Sequence, residues 1–316
     1  MLKNISKLVK ICSTSLAFSF PFSSELPVKE IIKEKFNSAT LQSNDLHFKE
    51  AEDSFHNLLD FTNDNFSDKK LTQVELQEIQ CRIFCELGNM YLLKGDYDKS
   101  EKAFIQSMRL AYASGLREQD PMMLMVSLKL ALIYQEINRI ERAEQGFKFV
   151  ISTIEMTEER DDNLNALLGM SYDYYSKFLF CKKKAFQDSL EMAEKAADIC
   201  TKVFSPRHNN CLNLLLDISL INFTSKDYKE TEVHLNKFFN IVNSLQEDER
   251  ESLNFVIISG KLQMVKYLTA INQMDRAKMI LHEIDFDAIH MSSFYAKEIE
   301  DMKKLYLDLK NKIYKK

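Results

Sequence analysis

The chain has 316 residues and a formal net charge of −5, enough length for several stacked structural units and too acidic a balance to present a basic surface to a nucleic-acid backbone. Six Gly and four Pro are too few to supply the turns of a β-rich chain, so an all-α fold is predicted. No stretch holds the roughly 18–20 consecutive apolar residues that a membrane-spanning helix needs.

The first residues differ in kind from the rest. Residues 1–24 contain Lys3, Lys7 and Lys10, six serines and no acid before Glu25. That segment is +3, which leaves −8 for the remainder of the −5 total. Leu2, Ile5, Leu8, Val9 and Leu16 fall on one helical face, so residues 1–30 are expected to be a mitochondrial presequence or flexible terminus outside the fold. The apolar run at 11–22 also fits the core of a secretory signal, and the lack of Arg leaves both readings open beside that of an uncleaved terminus.

Further along, Ala51, Phe55 and Leu58 have the spacing of the second helix of a pair, with a first helix expected near 32–43. Residues 87–104 then give a clearer unit: Leu87-Gly88, Tyr91, Ser100 and Phe104 recur at the same internal offsets as Leu130-Ala131, Tyr134, Ala143 and Phe147. A small residue lets two antiparallel helices approach, and the large ones fill the seam. This pattern resembles a tetratricopeptide repeat. A third copy keeps Leu168-Gly169, Tyr172, Ser189, Ala193 and Ala196 but is longer between its helices. Asp227-Tyr228 with Leu235 and Phe238, and Asn272 to Ala277 with Leu281 and Ile284, supply two more. Asp120-Pro121 and Ser205-Pro206 each put a capping side chain before a proline suited to a first helical turn. Residues 292–313 form one amphipathic helix without a partner of its own, expected to cap the last repeat. Residues 31–316 are therefore predicted to be one all-α tetratricopeptide-repeat superhelix of about five to six antiparallel helix pairs with a C-terminal capping helix. Its period of about 42–46 residues exceeds the usual 34 of this repeat type.

Catalytic patterns are weak. The six histidines are dispersed, and no phosphate loop, dinucleotide turn or nucleophile elbow is present. No cofactor or metal is expected, and no enzymatic activity. The cysteines read as buried free thiols; in an oxidising space Cys200 and Cys211, which flank a short loop, would warrant a thiol count. Function should lie on the face built by the first helix of each pair: Arg82, Cys85, Asn89 and Leu92, then Leu128, Leu132 and Gln135, then Tyr174, Phe178 and Phe223. Of these, Arg82, Asn89, Gln135, Tyr174, Phe178 and Phe223 are the candidate partner-binding residues. The lysine and asparagine that clamp a chaperone tail would be needed where Cys85 and Lys129 stand, so that type of receptor is disfavoured.

One family is resembled more specifically. Tyr112-Ala113-Ser114-Gly115-Leu116-Arg117-Glu118-Gln119-Asp120, then Val126 to Ala131, Ile133-Tyr134, Asn138-Arg139 and Val150-Ile151-Ser152-Thr153, is similar to mitochondrial tetratricopeptide repeat protein 19. Leu167 to Met170, Glu194-Lys195-Ala196 and Arg207-His208 continue the likeness in order, over roughly residues 32–291. The resemblance implies a non-catalytic, inner-membrane-associated mitochondrial factor whose partners are subunits of respiratory complex III, including the Rieske protein. It would support assembly and maintenance of that enzyme and clearance of Rieske fragments. The spacing also resembles the cargo-binding repeats of kinesin light chains, which makes a cytosolic peptide-binding adaptor the alternative; residues 1–31 leave no room for the coiled coil that normally precedes those repeats.

Overall fold

A computed structural model of the chain describes residues 27–289 and 296–314. The predicted presequence lies outside the described residues up to position 26, and Pro27 already opens the first helix. Fourteen α-helices and no strand occur among the described residues. In chain order they are α1 Pro27–Asn44, α2 Phe48–Ser67, α3 Gln73–Lys94, α4 Tyr97–Ala113, α5 Pro121–Glu136, α6 Ile140–Glu155, α7 Asp162–Phe178, α8 Phe186–Val203, α9 Asn209–Thr224, α10 Tyr228–Asn243, α11 Glu247–Ser252, α12 Asn254–Ala270, α13 Met274–His282 and α14 Ala296–Tyr314. Helices α1/α2, α3/α4, α5/α6, α7/α8, α9/α10 and α12/α13 are antiparallel pairs. Their first helices start at 27, 73, 121, 162, 209 and 254, somewhat less evenly than the sequence period suggests. Two compact units divide the described chain, residues 27–167 and residues 168–314.

All six pairs share one turn. The residue two before each second helix has a left-handed backbone: Leu46, Gly95, Asn138, Lys184, Lys226 and Asn272, with φ between 58° and 81°. The next residue is the N-cap, and in every pair its φ lies between −80° and −88° and its ψ between 62° and 80°. In five pairs that N-cap donates its N–H to the carbonyl five residues back, at 2.8–2.9 Å, satisfying a carbonyl the helix end would orphan. The pair α7/α8 differs. Its N-cap, Ala185, donates to Leu179 six residues back at 3.1 Å, because a π-turn at Leu179–Lys183 inserts one residue into the helix end. The extra length of the third repeat is absorbed there.

Counting from the same N-cap gives the interior. The fourth residue on is small in every pair: Ala51, Ser100, Ala143, Ser189, Thr231 and Ala277, all at most 1 % exposed. The eighth, Phe55, Phe104, Phe147, Ala193, Leu235 or Leu281, is buried as well. Ser100 donates to the Gly88 carbonyl at 2.7 Å and Ser189 to that of Ser176 at 2.9 Å, so the small residue both permits and fastens the approach. Side chains also tie successive pairs. Tyr91 donates to Glu52 at 2.8 Å, and Tyr134 to Glu101 and Tyr267 to Glu232 make the same bond. Each glutamate stands five residues after its N-cap, and a cation three residues after the next one, Lys99, Arg142 or Arg276, faces the tyrosine. Burial raises all three phenols, and the adjacent carboxylates raise them further.

Three expectations are adjusted. Ser205-Pro206 does not open a helix: the Ser205 hydroxyl accepts from the Arg207 N–H instead, and α9 begins three residues later, with His208 Nδ1 accepting from the Asn210 N–H at 3.2 Å. The first helix of the first pair covers 27–44 rather than 32–43. Cys200 and Cys211 are not free thiols but a disulfide between the end of α8 and the start of α9, with Cα atoms 5.7 Å apart; Cys81, Cys85 and Cys181 stay reduced. As predicted, the C-terminal helix α14 caps the last pair by burying Met302, Leu309 and Ile313 in the core of α12 and α13.

Candidate partner-binding surface

The common turn sets where each first-helix side chain stands. Asn89 lies seven residues before its N-cap, and Lys129, on the next pair's first helix, lies ten before its own. These two positions meet: Lys129 Nζ donates to Asn89 Oδ1 at 2.7 Å, with Lys129 3 % and Asn89 4 % exposed. The lysine also lies 5.8 Å from the centre of the Phe104 ring. Asn89 Nδ2, buried beside it, has no acceptor. Cys85 and Arg82 stand one and two turns earlier on the same face of α3, both half-buried. Burial pushes the Cys85 thiol up to about 12, against a smaller opposing pull from Lys129. Gln135, at the end of α5, is buried with its Oε1 unpartnered.

In residues 168–314 the same two positions meet again. Lys177 stands eight residues before its N-cap, one more than Asn89 because of the π-turn, and Asp217 ten before its own. Lys177 Nζ is 3.3 Å from Asp217 and 2.7 Å from Asp173 on its own helix. Burial alone would lower the ammonium, but the two carboxylates outweigh it and raise it. Asp217 is pushed up by burial and by Asp173. Tyr174 and Phe178 are both buried, and the Phe178 ring stacks on Tyr175 with centroids 6.1 Å apart. Phe223 is half-buried under Lys266, whose Nζ is 5.0 Å from the ring centre and whose ammonium is lowered by burial.

Of the six residues picked from sequence, the structure thus joins Asn89 to Lys129 and Phe223 to Lys266, leaves Arg82 half-buried, and, against the expectation that they line an open face, packs Gln135, Tyr174 and Phe178 into the interior. Sequence reasoning did not select Lys129, Lys177, Asp217 or Lys266 as site residues. The signal for them was a fixed count back from each inter-helix turn. No group of three or more His, Cys, Asp or Glu side chains that could hold a metal, and no helix long and apolar enough to cross a membrane, occurs among the described residues.

Stacked helix pairs with one shared turn and a capping helix define a tetratricopeptide-repeat protein. Solved structures agree on the fold: BtubC (BKLC) from P. vanneervenii aligns with a TM-score of 0.57 and 14% identity over 76% of this chain and 89% of that one, and NprR in complex with its cognate peptide NprX with 0.51 and 13% over 99% and 80%. No family profile matches the chain. Curated sequences carry the likeness further, since the chain is a relative of tetratricopeptide repeat protein 19, mitochondrial. It is 27% identical to the Rattus norvegicus protein over 52% of this chain and 48% of that one, and 26% identical to the Homo sapiens protein over 52% and 46%. The chain therefore spans about half the length of the curated relatives it matches.

Proposed function

We propose that this chain is a non-catalytic mitochondrial factor that binds respiratory complex III and supports its assembly and maintenance, including clearance of Rieske fragments. The observation that carries the proposal is the 26–27% identity with mitochondrial tetratricopeptide repeat proteins 19 over 52% of the chain. The fold supports the binding part, because stacked pairs hold first-helix side chains on a rigid frame and repeat proteins bind through such extended faces. Residues 1–26, ahead of helix α1, act as the import signal, association with the inner membrane is peripheral, and each of the two units presents first-helix residues of its own to partners, around Asn89 in one and around Phe223 in the other.

The test is native-gel migration of the tagged chain from isolated mitochondria, with protease protection to find its compartment. Co-migration with ubiquinol–cytochrome c reductase, and lower activity of assembled enzyme when the chain is absent, are expected. A chain that fractionates with the cytosol and never co-migrates would replace this reading with the peptide-binding adaptor.

A further inference from the structure

We propose that Lys266 is a site of covalent acylation, where the ε-amine takes a short uncharged acyl group such as acetyl from an acyl thioester. The proposal stands on residues of the unit 168–314 and not on complex III as the partner.

Six of the described lysines are buried or half-buried. Lys29, Lys177, Lys261 and Lys278 each lie within 3.3 Å of a carboxylate oxygen, and Lys129 donates to Asn89. Lys266 is the sixth. It meets the face of the Phe223 ring, 5.0 Å from Nζ, and among the described residues no carboxylate comes within ion-pair distance of it. Leu220 and Phe223 of α9 and Leu235 of α10 line an apolar hollow beside it. The hydroxyls there are committed elsewhere, Ser219 donating to Gln263 at 2.7 Å and Thr231 to the Asp227 carbonyl at 2.6 Å. A ring face favours an ammonium, but burial without a counter-charge outweighs it and lowers this one. More of the side chain is therefore neutral amine, the nucleophilic form, and a half-buried position keeps it within reach of solvent. In the reaction the nitrogen attacks the thioester carbonyl carbon, a C–N bond forms and the C–S bond breaks. The thiolate leaves, and the proton lost by nitrogen goes to solvent. An uncharged amide then replaces a cation that had no partner, and its methyl group can rest on Leu220 and Phe223. No charged group acts on the site, so nothing there would hold the second carboxylate of a dicarboxylic acyl group.

The experiment incubates the full chain with acetyl-coenzyme A between pH 7 and pH 10, with N-acetyl-lysine methylamide in the same tube as reference. Peptide mass spectrometry reads acetyl occupancy at each lysine. Lys266 is expected to gain acetyl at least about fivefold faster than exposed Lys102 at pH 7.5, and its rate should level off at a lower pH than that of the reference. Succinyl-coenzyme A should show no such preference. Phe223→Glu sets a carboxylate beside the amine and should abolish the excess rate while the helical circular dichroism is kept; Leu220→Glu does so from the other wall if the first variant fails to fold. A rate at Lys266 no higher than at Lys102, a pH profile matching the reference, an equal preference with the succinyl donor, or an excess rate retained in a folded Glu variant would each overturn the proposal. Co-migration with complex III is a separate result, so failure of one is not failure of the other.

Discussion

Glu75 ties three pieces of chain at one carboxylate. It accepts from Lys29 of α1 at 2.6 Å and from the Thr72 N–H at 2.8 Å, while Thr72 receives the Glu75 N–H in return to complete a capping box. The Lys29 bond first, then the Thr72 backbone, hold its pKa down at about 2. A depressed carboxylate stabilises the fold fully above its unfolded value, near 4.5, and the contribution drains away as pH falls from there toward 2. With the side chain a quarter exposed, solvent screening leaves about 1 kcal/mol of this effect. Urea unfolding at pH 6 and pH 2.5 should show Lys29→Met losing less stability on acidification than the wild type. Equal losses would remove the pair from the acid response. Gly88 makes a second residue-scale case. A Cβ there would lie 2.7 Å from two ring carbons of Phe104, so Gly88→Ala is expected to destabilise by roughly 1–3 kcal/mol through overpacking, and Phe104→Leu in the same chain should recover part of the loss. A substitution at exposed Lys102 is the control that should leave stability unchanged.

Among elements, the link between α8 and α9 is the most testable. The Cys200–Cys211 bond closes a separation of 11 residues, and Phe204 stacks on His208 inside the closed loop at 4.6 Å. Oxidised protein unfolded in denaturant should titrate four thiols, from the six cysteines of the chain, and Cys200→Ser should lower stability by about 2–3 kcal/mol. Six thiols before reduction would show that the bond does not form. The sequence made some of the inter-helix turns readable and others not. Gly95, Asn138 and Asn272 announce a left-handed backbone, and Asp96 and Asp227 announce a cap. Leu46, Lys184 and Lys226 do not, because those residue types rarely adopt positive φ; packing at the fourth and eighth positions forces the turn on them. The π-turn was likewise invisible, since nothing in Leu179–Lys183 distinguishes it from ordinary helix. For the candidate surface, Asn89 and Phe223 were legible from the repeat frame. Their partners Lys129 and Lys266 were not, because each comes from the neighbouring pair and only the turn register aligns the two.

On the scale of the whole molecule, the pairs within each unit touch their neighbours in sequence, so stability should accumulate along the chain rather than reside in one core. The C-terminal pair depends on α14, which supplies Met302, Leu309 and Ile313 to its core. Deleting residues 296–316 is expected to speed amide exchange in α12 and α13 by at least tenfold while α3 and α4 change little. Uniform acceleration across the chain would mean that the pairs unfold as one cooperative body.

The uniform turn has a bearing on how such a chain can change over generations. Because all six turns set the same backbone angles to within about 25°, a duplicated or excised unit would meet its new neighbour at the angle the old one had. Gene segments cut at equivalent turns thus share one junction geometry, and what must be re-matched is the seam at the fourth and eighth positions and the side chains that tie successive pairs. The α7/α8 unit is the exception. Its extra residue shifts the count back from the turn by one, so a copy of it moved elsewhere would arrive out of step with whatever it was set against.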